Sequence, residues 1–462
     1  YLRDYMKKWV AENKKPDGSD YDIYKDGLKI YTTIDSRMQL HAEEAVEAHM
    51  ANLQEEFFEQ SKDNKNAPFV NISQAETQRI MNQAMKSSTR WNIMESMDKS
   101  EEEIIASFKV KTKMRVFTWK GERDTVMTPL DSIRYYKHFL QSGLMSMEPQ
   151  TGAIKAWVGG INYKYFQYDH VGQGARQVGS TFKPFVYATA IMKLGMTPCS
   201  TVSNGTYDHN GWHVPGRGGM LTLKDALAHS QNPVAARLIE MTGVDAVIQT
   251  ARDLGVTEDI PRNNTIALGS SDITIYEMLG AYSTFANYGN YNKPEMIWRI
   301  EDVNGRVIKE VISEPKEVMN PNYAYTMIEL MKGVAQYGTA SGELGRRGVS
   351  KNIEIAAKTG TTQNNSDGWF MGMVPNLVTG VWVGCEDRSA RFKSLTYGQG
   401  ATAALPIWGY FMKLCYADPG LQVSKSEFER PANLSIKVDC YSRPAVVKDT
   451  TQTDQNTDEF EL

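Results

Sequence analysis

The sequence predicts an α+β protein, a mostly antiparallel five-stranded sheet flanked by helices and preceded by a small α+β module. Three observations carry this. "LMSMEPQTGAIKAWVGG" (144–160) holds two short apolar runs around a Pro-Gln-Thr-Gly turn, a hairpin signal. Three further strand-like runs follow far downstream: "NIEIAAKTGTT", "GWFMGMVP" and "LVTGVWVG", separated by polar turns. Between these groups the chain reads as helical, as in "TLKDALAHSQNPVAARLIEMTG" and "TIYEMLGAYSTFANYG". Two strands before the helices and three after them predict one sheet closed by both ends of a domain.

The elements follow in order. Residues 1–20 read as the end of a charged helix running into a Pro/Gly/Asp turn. "GLKIYTTID" alternates Leu28, Ile30, Thr32 and Ile34 on one face, as a strand does. Asp35 can cap a helix whose inward positions are Met38, Ala42, Val46, His49, Leu53 and Phe57. After a polar stretch, Ser73-x-x-Glu76 and Ser100-x-x-Glu103 have the pattern of capping boxes. "KVKTKMRVFTW" reads as a strand, and Thr128 with Pro129 opens another helix. The boundaries predicted are a helix end over 1–20, a linker module over 21–143, the main domain over 144–425, and a largely disordered tail over 426–462. The end of that tail ("KDTTQTDQNTDEFEL") is polar, acidic and unpatterned.

Composition bounds the function. At 462 residues, 41% hydrophobic and 23% charged, the chain can bury a full core. A net charge of −4 leaves no global basic footprint, which argues against nucleic acid as a partner. Cys199, Cys385, Cys415 and Cys440 are widely spread, with neither zinc-site nor disulfide-scaffold spacing. No stretch is long and apolar enough for a membrane span. The sequence starts at Tyr1, and we read it as a piece of a longer protein whose N-terminal part carries a membrane anchor or targeting signal.

The chemistry concentrates in three short motifs. "GSTFKP" places Ser180 one helical turn before Lys183. A serine hydroxyl is a poor nucleophile unless something takes its proton. Lysine does this only when neutral, and with a reference pKa near 10.4 roughly one in a few thousand is neutral at pH 7. Alone, the pair also reads as a helix start with Ser180 as N-cap, and the same spacing recurs at Ser96/Lys99 and Ser313/Lys316. Ser230-Gln231-Asn232 and Lys358-Thr359-Gly360 follow, the latter closing a predicted sheet strand. Three motifs in this order are much harder to reach by chance than any one.

Together they supply what serine acyl transfer needs. Ser180 is the candidate nucleophile, and Lys183 is the base once burial and the charge of Lys358 lower its pKa. Ser230 can pass a proton to the departing nitrogen, while Asn232 holds Lys183 and the substrate amide. Gly360 admits a substrate backbone to the strand edge, beside Lys358, Thr359 and Thr361 as binding residues. The backbone N–H groups of Ser180 and Thr361 are the candidate oxyanion donors. Trp212 is a candidate for the cleft rim or an ordinary buried tryptophan.

S-x-x-K, S-x-N and K-T-G are the signature of the penicillin-recognising serine acyltransferases. "GQGARQVGSTFKPFVYATA", "SQNPVAARL", "YGTASG" and "AAKTGTTQNNSDGWFMG" closely resemble the transpeptidase half of class A penicillin-binding proteins. "GLKIYTTIDSRMQLHAEEAV" resembles that family's linker, and the likeness extends over roughly residues 1–420. The resemblance implies a bacterial enzyme at the periplasmic face of the cytoplasmic membrane that cross-links peptidoglycan stem peptides. The serine would attack a D-Ala-D-Ala bond, release D-alanine and pass the acyl group to an amine. β-Lactam antibiotics would acylate the same serine, and no cofactor or metal is implied. The family's E-D-x-x-F-x-x-H glycosyltransferase signature is absent from this sequence, so residues 1–20 are expected to be the exit from a preceding glycosyltransferase half. A β-lactamase or DD-carboxypeptidase would share the site, but the E-x-x-L-N motif of class A β-lactamases is absent between Asn232 and Lys358. A non-catalytic β-lactam sensor is the remaining alternative.

Overall fold

The structure, a computed structural model, describes residues 2–347, 349 and 352–440. Its centre is a five-stranded, wholly antiparallel sheet of β1 (Leu140–Met147), β2 (Ile154–Val158), β3 (Ala356–Thr361), β4 (Asp367–Val374) and β5 (Leu377–Cys385). The order is β3-β4-β5-β1-β2, so the two halves of the sequence meet where β5 pairs with β1. β3, which carries the Lys-Thr-Gly motif, is an edge strand.

Strands β1, β3, β4 and β5 are buried almost without interruption because both faces are covered. Met145, Met147, Trp369, Met371 and Met373 pack with Phe185, Ile275, Met278 and Leu279 on one side. Leu144, Phe370, Val374 and Val381 pack with Met38, Ala42, Leu405 and Trp408 on the other. Successive residues of one strand thus enter opposite cores, the two-residue period of a pleated strand. Trp408 is fully buried, and truncating a side chain of that size costs about 3–5 kcal/mol.

The predicted helix starts appear in the structure. Asp35 accepts from the N–H groups of Arg37 and Met38 at the head of Ser36–Ser61. Ser73 and Thr128 cap the next helices, and Ser100 and Glu103 form a complete capping box.

Residues 21–143 do not pack as one body. The strand Lys29–Thr32 pairs antiparallel with Ile297–Glu301, which pairs in turn with Val307–Glu310. Met6 and Trp9 of the first helix close that small sheet against Ile297 and Ile300. Helix Ser36–Ser61 instead covers the central sheet. A short strand must find a partner for its backbone groups, and this partner is far away in sequence.

The tail also departs from expectation. Leu434, Ile436 and Val438 alternate inward, Phe428 is buried, and Phe428 N donates to Glu354 Oε2 at 2.9 Å. A disulfide joins Cys199 to Cys440, whereas Cys385 and Cys415 are free and buried. Residues 426–440 are therefore packed, and the rest of the expected disordered tail lies outside the described residues. No helix among the described residues is long and apolar enough to cross a membrane.

Candidate functional site

Ser180 is not a helix cap. It lies in a 3-10 turn, Gly179–Phe182, and the α-helix begins at Lys183, whose N–H donates to Ser180 O. Pro184 sits in the first turn, where no intrahelical donor is lost. The turn leaves the Ser180 hydroxyl half-buried and without a hydrogen bond among the described residues.

Ser230 lies between two helices, Leu223–Ala228 and Asn232–Thr242, rather than inside one. Its φ of +54° is unusual for a residue with a Cβ and marks a position held by its surroundings. The three motifs meet around it. Lys183 Nζ donates to Ser230 O at 2.5 Å, Ser230 Oγ at 3.1 Å and Asn232 Oδ1 at 2.6 Å. Lys358 Nζ donates to Ser230 Oγ at 2.9 Å and to Thr359 O at 2.8 Å.

Both lysines are fully buried with no carboxylate among these contacts. Burial holds Lys183 well below the usual lysine range, and the charge of Lys358 lowers it further. Burial also pushes Lys358 down to about 7. This is the environment a lysine base requires.

The Ser180 turn lies directly against the end of β3. Gly179 has a φ of +52°, and a Cβ there would lie 2.8 Å from Thr361 O. A Cβ at Gly360 would lie 2.8 Å from Thr181 Cγ2 and 2.9 Å from Val178 O. Gly360 therefore makes room for the chain's own turn, a use of the glycine that the motif alone did not reveal. This close approach puts the backbones of Ser180 and Thr361 side by side. Thr359 is buried, and its hydroxyl bonds that of Thr339 at 2.6 Å. Trp212 is half-buried and packs its ring on Tyr207, 5.5 Å between centroids.

Sequence reasoning missed the network that fastens this turn to the sheet. Asp367 is fully buried and accepts from Arg176 Nε at 2.7 Å, Trp382 Nε1 at 3.0 Å and Ser366 Oγ at 2.6 Å. Arg176 also donates to Glu386 O at 3.1 Å and lies over the Trp382 ring. Trp369 Nε1 donates to Gln177 O at 2.8 Å. Arg176 and Asp367 stand within the stretches "GARQVGS" and "NNSDGWF". The available signal was a charge next to each of two apolar runs, one just before the Ser180 turn and one at the head of β4.

Comparison with known proteins gives the family and the fold. The family model of the penicillin-binding protein middle domain matches residues 64–140. Penicillin-binding protein 1A of Aquifex aeolicus is 30% identical over 446 residues, covering 93% of this chain and 58% of the relative. Penicillin-binding protein 1A of Neisseria gonorrhoeae is 34% identical over 298 residues, 59% of this chain and 36% of the relative. The chain thus spans less than two thirds of either relative. In fold it is similar to penicillin-binding protein 1A from Haemophilus influenzae, with a TM-score of 0.67 at 19% identity, over 93% of this chain and 71% of that one. It is also similar to the PonA1 protein from Mycobacterium tuberculosis in complex with penicillin V, with a TM-score of 0.63 at 21% identity, over 91% and 93% of the two chains. The family model of the penicillin binding protein transpeptidase domain matches residues 142–394, more than half of the chain, and the chain belongs to that family.

Proposed function

We propose that the protein is a serine DD-transpeptidase that cross-links peptidoglycan stem peptides and is acylated by β-lactams at the same serine. The observation that carries this reading is the shared hydroxyl of Ser230, held between two buried lysines beside the Ser180 turn.

Neutral Lys183 takes the proton of Ser180 Oγ as the oxygen attacks the penultimate D-alanine carbonyl. The negative charge that develops on the carbonyl oxygen is met by the N–H groups of Ser180 and Thr361. Lys183, now charged, returns a proton through Ser230 Oγ to the leaving nitrogen; the C–N bond breaks and D-alanine departs. An acceptor amine then enters along the same path and attacks the acyl carbon, losing its proton to Lys183; the new C–N bond forms, the ester C–Oγ bond breaks, and Lys183 returns that proton to Ser180 Oγ. Protonated Lys358, with Thr359 and Thr361, binds the substrate carboxylate, and Asn232 orients Lys183 and the substrate amide. β3 is an edge strand, so an extended peptide can add alongside it through main-chain hydrogen bonds.

The Cys199–Cys440 disulfide favours an oxidising compartment, in keeping with the periplasmic face of a bacterial membrane. Anchoring to that membrane and a companion glycosyltransferase belong to the longer protein in this reading.

Intact-mass measurement after exposure to benzylpenicillin, followed by peptide mapping, tests the proposal. A stable adduct on Ser180, lost in Ser180→Ala, is expected. Rapid turnover to the hydrolysed drug would replace the transpeptidase by a hydrolase, and no adduct with intact drug would refute acyl transfer at this site.

A further inference from the structure

The stretch "YGTASG" (337–342) supplies none of the groups that meet at Ser230, yet it touches the elements that carry two of the motifs. It follows helix Pro321–Gln336, which packs against the short helix Leu223–Ala228 and against the edge strand β3. Ser230 lies two residues past the first of these, and Lys358 lies within the second.

The long helix is tied to both neighbours at two levels. At the first, Lys224 Nζ of the short helix lies 3.6 Å from Glu329 Oε2. Lys332 Nζ lies 2.6 Å from Glu329 Oε1 and 2.6 Å from Glu354 Oε1, two residues before β3. Two ammonium groups and two carboxylates alternate, so each charge taken from water keeps a partner. At the second level, beyond the helix end, Thr339 N donates to Ala228 O at 3.0 Å, and Thr339 Oγ1 bonds Thr359 Oγ1 at 2.6 Å. The approach is close: a Cβ at Gly338 would lie 2.2 Å from Ala228 O. Thr339 is exposed, so it fills no core, and these two bonds are what it contributes.

Thr339 thus joins the carrier of Ser230 to the carrier of Lys358. We propose that Thr339 is a positioning residue for acyl transfer, holding the Ser230 loop and β3 at the spacing that keeps Ser230 Oγ within reach of both lysines. The inference rests on the transpeptidase reading above. Ser230 has a φ of +54°, a conformation that persists only while its surroundings hold it. Freed from one tie, the loop can relax and carry its hydroxyl away from Lys358 Nζ, 2.9 Å distant in the structure. Hydrogen bonds weaken steeply with misalignment, and the proton returned by Lys183 then loses its relay to the leaving nitrogen.

Two variants test this. Thr339→Val keeps the shape of the side chain and removes its hydroxyl, whereas Thr339→Ser keeps the hydroxyl. Acylation by benzylpenicillin, followed over a range of drug concentrations, separates the limiting rate from the half-saturating concentration. Thr339→Val should lower the limiting rate about fivefold, the worth of one ordinary hydrogen bond, and Thr339→Ser should stay within about twofold of wild type. Intact mass at the end of the reaction should show full acylation of all three proteins, which reports that they are folded. A lower melting temperature or incomplete final acylation with an unchanged limiting rate would mean a purely structural role and overturns the proposal. A rate lost equally in both variants overturns it too, since the hydroxyl would not be responsible. So does an effect confined to the half-saturating concentration, which would place Thr339 in carboxylate binding through Thr359. Failure of the transpeptidase reading registers separately, as absence of the Ser180 adduct in the wild type.

Discussion

The Nζ atoms of Lys183 and Lys358 converge on one hydroxyl, that of Ser230, at 3.1 and 2.9 Å. Two ammonium groups cannot both stay charged at low cost in a buried site, so the pair holds fewer than two protons near neutrality. Lys183, lowered by burial and by its neighbour's charge, is the one the proposed mechanism requires to give up its proton first.

That order sets the pH dependence of acylation. Rate should rise as pH climbs through the depressed pKa of Lys183, because only the neutral amine accepts the Ser180 proton. It should fall as pH rises through about 7, where Lys358 loses the charge that, in the proposed mechanism, binds the carboxylate of a penicillin. The second-order acylation rate reports the free enzyme and should trace a bell. A rate that climbs steadily to about pH 10 would mean that Lys183 titrates as an ordinary lysine.

Gly179→Ala should separate catalysis from folding. The new Cβ meets Thr361 O at 2.8 Å, and φ is +52°. Moving Thr361 would displace one of the two proposed oxyanion donors, and losing one such donor costs about 10²–10³ in rate. Gly195 also has a positive φ, +62°, but nothing lies within 4 Å of an added Cβ. Gly195→Ala should therefore show the backbone cost in melting temperature with acylation unchanged. Equal acylation rates in both variants would remove the Gly179–Thr361 contact from the mechanism.

Asp367→Ala leaves Arg176 buried without its carboxylate, a change worth about 3–5 kcal/mol. Asp367→Asn keeps an acceptor for Trp382 Nε1 and should cost less. Denaturant titration gives the order, Ala below Asn below wild type. Benzylpenicillin acylation should fall in the same order, because this network fastens the Ser180 turn to β4. An Asn variant as stable and as reactive as wild type would show that charge plays no part.

Cys440→Ser should loosen the packed tail. A disulfide closing a loop of 241 residues is worth about 2–5 kcal/mol through the unfolded state. The expected readouts are a lower melting temperature and faster proteolysis near Lys437. Cys385 and Cys415 should resist alkylation in the native protein, since burial raises both thiols, Cys415 to about 12. Alkylation of four thiols rather than two in denaturant without a reductant would show the disulfide to be absent.

Local regularities in the chain were sufficient for the sheet strands, the helix caps at Asp35, Ser73, Ser100 and Thr128, and the three motifs. These signals act over two to four residues, the period of a strand or one turn of a helix. The inward alternation of Leu434, Ile436 and Val438 is a pattern of the same kind, short and followed by a long polar run.

Other features depend on groups that meet only after folding. Lys29–Thr32 finds its partner near residue 300, Arg176 finds Asp367, and Cys199 finds Cys440. The position of Lys183 is decided the same way. Sequence spacing placed it one turn from Ser180, but its hydrogen bonds go to Ser230 and Asn232 on a separate loop and helix. Spacing determined which residue types were present and in what order. Tertiary packing decided which of them lost water, which share a proton, and which backbones touch, because desolvation and close contact arise only when distant segments are pressed together.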